Sequence, residues 1–78
     1  MPSVTLLGKP GCHLCDDARA VVQTVLADHP DVVFDEKSIL DDPELLDAYA
    51  EEIPVVLIDG RVHTIWRVDE HRLRAALT

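Results

Sequence analysis

A chain of 78 residues with 47% hydrophobic side chains makes one small folded domain, residues 1–78, with a modest core. Fifteen acidic against seven basic residues give a formal net charge of −8, which argues against nucleic acid or an anionic membrane as a partner. No run approaches the roughly 18 apolar residues that span a bilayer, and Met1 to Gly8 lack the basic and apolar regions of a secretion signal, so the cytoplasm is the expected compartment.

Val4 to Leu7 is a short β-prone apolar run, broken by Gly8, Pro10 and Gly11, and fits a buried strand ending in a turn. From His13 to Asp28 the spacing turns helical, with Leu14, Ala18, Val21, Val22 and Val25 recurring at three and four and Pro30 closing the segment. Asp16 and Asp17 fall in its first turn, where carboxylates suit the helix dipole. Val32-Val33-Phe34 opens a second strand that runs toward Ile39. Asp42 followed by Pro43 reads as an N-cap with proline at the first helical position, and Leu45, Leu46 and Tyr49 supply that helix with an apolar face.

Val55 to Ile58 is wholly apolar and reads as a buried strand. Asp59-Gly60 is the strongest hairpin signal, because a type I′ turn needs positive φ at both positions, and Arg61 to Trp66 returns as the partner strand. Asp69 caps a last helix whose inward face would be Leu73, Ala76 and Leu77. The expected order is β-α-β-α-β-β-α. The first two strands, joined by a helical crossover, should run parallel, and the last two antiparallel. The packing this implies is an α/β fold with a four-stranded mixed sheet and helices on both faces.

The chemistry concentrates in Cys12-His13-Leu14-Cys15, which holds both cysteines of the chain at a strand-to-helix junction. At the first turn of a helix, positions i and i+3 share a face, so two such sulfurs can close a disulfide or reopen it. A single pair does not staple a secreted miniprotein, and a persistent structural disulfide is uncommon in a reducing compartment, so a working redox pair is favoured.

With the C-x-x-C at the head of the first helix of this order, the chain resembles the small glutaredoxin-like family of the thioredoxin superfamily. The matching pieces are Lys9 to Ala18, Glu52 to Val56, and the Asp59-Gly60 hairpin. The resemblance implies a thioredoxin fold and a thiol–disulfide oxidoreductase. It places Cys12 as the nucleophilic cysteine, Cys15 as the resolving one and Pro54 as a cis-proline facing them. It also implies that the Ile53 backbone pairs with a bound thiol substrate, that Lys9 helps hold a glutathione carboxylate, and that Asp69 lies near a contact for the glutathione amino group. Two departures stand out. The Cys-Pro-Tyr-Cys of glutaredoxins is here Cys-His-Leu-Cys, and the glycine pair before the last helix is replaced by Trp66-Arg67-Val68, whose bulk opposes close approach of backbone to glutathione.

Thiol–disulfide exchange needs a thiolate, and the helix terminus, Lys9 and a protonated His13 favour one at Cys12 whereas Asp16 opposes it. Cys15, one turn inward, should be more buried and keep its proton until it attacks. His13 has two readings: a substrate-side group that stabilises the reduced pair, or a surface histidine paired with Asp17. His29, His63 and His71 read as surface residues, Trp66 and Tyr49 as packing against the sheet, and the C-terminal arginines as a solvated face.

No cofactor or metal is expected. Glutathione or another low-molecular-weight thiol is a candidate co-substrate. The expected partners are disulfide-containing proteins or small thiol conjugates, with a reductase or a small thiol as electron donor, acting on a monomer. Two other classes compete: zinc or an iron–sulfur cluster held through the C-x-x-C of a dimer, and a non-catalytic interaction module that keeps the fold.

Overall fold

The computed structural model describes residues 2–78. Its strands are β1 (Ser3–Gly8), β2 (Val33–Ser38), β3 (Val55–Ile58) and β4 (Arg61–Ile65), and its helices are α1 (His13–Leu26), α2 (Pro43–Tyr49) and α3 (Glu70–Leu77). They follow one another as β1-α1-β2-α2-β3-β4-α3, with a 3₁₀ turn at Ile39–Asp41 before α2. The sheet order is β2-β1-β3-β4. β1 pairs parallel with β2 and antiparallel with β3, and β3 pairs antiparallel with β4. This is the mixed four-stranded sheet the sequence predicts.

Alternation along the central strands divides the core between the two faces. Val4 and Leu6 of β1 and Val56 of β3 meet Ala18, Val22 and Val25 of α1 and Leu73 of α3. On the other face Leu7 and Val55 meet Ile39, with Leu45, Tyr49 and Ile65 packed around them. Helices therefore cover both faces, α1 and α3 on one and α2 on the other.

The caps explain where the helices begin. The Asp42 carboxylate accepts the Glu44 amide at 2.9 Å and Asp69 accepts that of Arg72 at 3.0 Å, so both act as N-caps as expected. In the β3–β4 hairpin Asp59 and Gly60 take φ of 52° and 83°, the left-handed pair that a type I′ turn requires. The Asp59 carboxylate also accepts the Ser3 amide at 2.9 Å, tying the turn to the start of β1.

Several expectations at element ends need correction. Helix α1 stops at Leu26, before Asp28, because the Asp28 and His29 amides turn back to the carbonyls three residues earlier. Strand β2 stops at Ser38, whose hydroxyl accepts the Leu40 amide and opens the 3₁₀ turn. Leu46 and Ala76 face solvent. In helices this short the inward stripe is one pair at i and i+4, Leu45 with Tyr49 and Leu73 with Leu77, and a neighbour about 100° around the helix falls outside it. No helix among the described residues is long and apolar enough to cross a membrane.

Candidate active site

The site begins where β1 runs out. Gly11 takes φ of +79°, a conformation that L side chains rarely adopt, and the turn it makes delivers Cys12 in extended backbone to the start of α1. Cys12 is the N-cap of that helix: its Sγ accepts the Cys15 amide at 3.2 Å, and its carbonyl accepts the first helical bond, from Asp16, at 3.1 Å. A sulfur stands here where Ser, Thr, Asp or Asn is usual, facing the positive partial charge of the unpaired N–H groups at the helix end.

Both cysteines are free thiols, Cys12 half-buried and Cys15 only 1% exposed. Burial pushes the Cys15 thiol up from 9.0 to about 11, and interaction with the Cys12 side chain adds to the rise, against a smaller opposing pull from the Lys9 backbone. One thiol therefore meets solvent while its partner waits behind it, holding its proton.

The register that sets Leu7 opposite Val55 puts Pro54 at the same end of the sheet as Gly8 and Lys9. Pro54 is buried and its peptide bond with Ile53 is cis, as the resemblance implies. Ile53 is half-buried beside the core on the α2 side. Lys9 is exposed and lines a cavity of about 330 Å³ with Pro10, Gly11 and Lys37. His13 is the exposed first residue of α1, and among the described residues no ion pair joins it to Asp17. Asp69 is exposed, with its carboxylate engaged in capping α3. No three His, Cys, Asp or Glu side chains converge on one point among the described residues.

Three features went unread in the sequence. Trp66 does not pack against the sheet: it is 54% exposed and belongs to the loop between β4 and α3. Its φ is +68°, and the Arg67 amide bonds the Ile65 carbonyl at 2.8 Å across it, the hydrogen bond of a strained γ-turn. Two bonds tie this residue to the loop that carries Pro54, from its amide to the Pro54 carbonyl at 2.8 Å and from its indole N–H to the Glu51 carbonyl at 3.0 Å. Trp66, Arg67 and Val68 then form one wall of a groove of about 160 Å³ whose other wall is Leu14, Ala18 and Val21 of α1. The loops carrying Cys12, Pro54 and Trp66 thus gather at one end of the sheet.

The second missed feature is Arg19, which fastens α1 to β2. Its Nε donates to Glu36 at 2.8 Å and its Nη1 to Asp16 at 2.9 Å, and Nη2 closes a second bond to Glu36. The guanidinium holds the Glu36 carboxyl below its usual value and forms an ion pair with Asp16, the carboxylate next to Cys15 in the chain. The i,i+3 spacing of Asp16 and Arg19 was visible in the sequence; their meeting with Glu36 needs the parallel crossover. The third is Gly8, read as a strand breaker, which is buried directly against Cys15. Of the histidines read as surface residues only His71 is exposed: His29 and His63 are half-buried, and at His63 burial, with Arg72 nearby, pulls the imidazole below the usual value.

Comparison with known proteins agrees with this arrangement. Residues 3–78 match the family model described as "Glutaredoxin-like domain (DUF836)". Uncharacterized proteins of Mycobacterium tuberculosis and Mycobacterium bovis are 38% identical, over 95% of this chain and 80% of their own length. The X-ray structure of a structural-genomics target protein from X. campestris superposes with a TM-score of 0.77 at 36% identity, covering 95% of this chain and 93% of that one. The oxidized mitochondrial thioredoxin 3 of Saccharomyces cerevisiae, at 15% identity, shares the fold with a TM-score of 0.70 over 96% of this chain and 74% of its own. The chain belongs to the glutaredoxin-like DUF836 family, and its fold is that of thioredoxin.

Proposed function

We propose that the protein is a thiol–disulfide oxidoreductase that cycles Cys12 and Cys15 between two thiols and a disulfide. The observation that carries this reading is the asymmetry of the pair: Cys12 half-buried on the helix N-terminus, and Cys15 sealed behind it with its thiol raised to about 11. In the reaction the Cys12 sulfur attacks one sulfur of a partner disulfide, forming a mixed disulfide and expelling a partner thiolate. Cys15 then gives up its proton and attacks Cys12, closing the internal disulfide and releasing the second partner thiol. Two electrons and two protons pass from the pair to the partner.

Lys9, His13, Ile53, Pro54 and Asp69 are the proposed substrate-side residues: Lys9, His13, Ile53 and Pro54 are near neighbours of the cysteines or of the cis-proline in the chain, and Asp69 follows from the family resemblance. The proposed partners are protein disulfides or small thiol conjugates in a reducing cytoplasm. Glutathione, another small thiol or a reductase would return the electrons. Trp66 in place of a glycine favours a donor or substrate that does not need close backbone approach at that loop.

The test replaces Cys15 with Ser and recovers what stays covalently linked to Cys12, alongside turnover of insulin or hydroxyethyl disulfide by the unaltered chain. The expected result is turnover that needs both cysteines, and a mixed disulfide that accumulates only when Cys15 is gone. Absence of turnover together with absence of trapped partners would return the chain to the class of non-catalytic modules.

A further inference from the structure

We propose that Gly8 is a positioning residue for the redox pair, its missing side chain being the seat of the Cys15 sulfur in the dithiol form. The proposal rests on the reading of Cys12 and Cys15 as an exchanging pair. Gly8 is not required for its backbone conformation: it closes β1 in ordinary ladder register opposite Ser38, and the left-handed glycines are Gly11 and Gly60. What it supplies is room. A Cβ placed there would lie 2.8 Å from the Cys15 Sγ and 3.2 Å from its Cβ, and the nearer contact is one that folded chains essentially never show.

Something must yield, and the neighbours decide what. Gly8 is held by β2 through its pairing with Ser38, and the residue before it, Leu7, is held by both β2 and β3. Helix α1 is anchored in the core by Ala18, Val22 and Val25, each 0–2% exposed. The Sγ of Cys15 hangs on one rotatable bond and is the softest element of the contact, so an added methyl group drives it off its rotamer. On this proposal, closing the disulfide draws the same sulfur toward Cys12 and off the glycine. A side chain at position 8 therefore strains the dithiol more than the disulfide. In that closure the two thiols lose two electrons and two protons to a disulfide partner, which becomes two thiols.

The experiment equilibrates Gly8→Ala and the unaltered chain with defined mixtures of reduced and oxidised glutathione, and reads the disulfide fraction by alkylation and mass. The equilibrium is expected to move toward the disulfide by about three- to tenfold, the range an off-rotamer side chain supports. That shift equals a potential lower by about 15–30 mV. A disulfide that forms in both proteins with an unchanged equilibrium would overturn the proposal and leave the oxidoreductase reading standing. No disulfide in the unaltered chain at any ratio would overturn that reading, and this proposal with it.

A stability arm covers the case in which Gly8→Ala does not fold. In a Cys15→Ala background the 2.8 Å contact is absent and only the 3.2 Å contact with the Cβ remains, so Gly8→Ala is expected to lower the melting temperature clearly less than it does in the unaltered chain. An equal loss in both backgrounds would overturn the proposal, because the strand would then need glycine for reasons unrelated to the sulfur.

Discussion

Alkylation of Cys15 should lag far behind what its sequence type would suggest. Its thiol lies at about 11 instead of 9.0. At pH 8 a thiol of 9.0 is about 9% thiolate and one of 11 about 0.1%, a deficit on the order of 100-fold. Burial is the first cause, so the deficit should persist in a Cys12→Ser variant, although reduced by the loss of the Cys12 contribution. The assay is iodoacetamide labelling from pH 7 to 11, resolved by peptide mass spectrometry and run beside circular dichroism to confirm that the chain stays folded. Labelling of Cys15 should rise with an inflection well above pH 9.

The same shift sets a stability window. A folded-state value above the unfolded one stabilises the fold while the thiol keeps its proton, in full below about pH 9, and that contribution is lost as pH climbs through about 11. Cys15→Ser should remove that part of the alkaline decline. Labelling of Cys15 in the folded chain with an inflection at or below 9 would refute the burial argument.

Three further outcomes follow from the geometry. Trp66 carries a φ of +68°, so Trp66→Gly should be about 1 kcal/mol more stable than Trp66→Ala by chemical denaturation, both having lost the indole bond to Glu51; equal stabilities would show that the turn is not strained. Asp69→Ala should lose about 1 kcal/mol with the α3 cap while Asp69→Asn keeps it, and if Asp69 also meets an amino group of the substrate, Asp69→Asn should raise KM at unchanged stability. His63 sits below its ordinary 6.5, so its neutral form is the one the fold prefers: stability should fall as pH drops from about 7 through its folded value, and His63→Gln should flatten that stretch of a Tm-against-pH profile.

The local signals in the sequence were strong where one residue type has one physical use. Asp42-Pro43 and Asp69 marked helix starts because their carboxylates can accept amides that nothing else would satisfy. Asp59-Gly60 marked the hairpin because few residues tolerate that backbone. The cysteine pair was legible as chemistry, and its placement at the first turn of α1 followed from the strand break before it.

What could not be read depends on atoms far apart in sequence. Gly8 reads in the sequence as a strand breaker, and its contact with Cys15 exists only once α1 packs against β1. Trp66 reads as packing against the sheet at the end of the returning strand, whereas its backbone turns it out and its indole reaches the Glu51 carbonyl. Arg19 joins Glu36 only once the crossover lays α1 beside β2. Leu46 and Ala76 fitted an apolar periodicity that helices of two turns are too short to use in full.

The central claim is that Cys12 and Cys15 exchange electrons as one pair. Its most direct measurement is the mass of the intact chain after equilibration with oxidised glutathione, with and without prior alkylation. A loss of about 2 Da, with both cysteines shielded from label and freed again by a reducing thiol, is the result this account requires. A chain that keeps both thiols open to label, or that stops with glutathione attached to Cys12 while Cys15 stays idle, would contradict it.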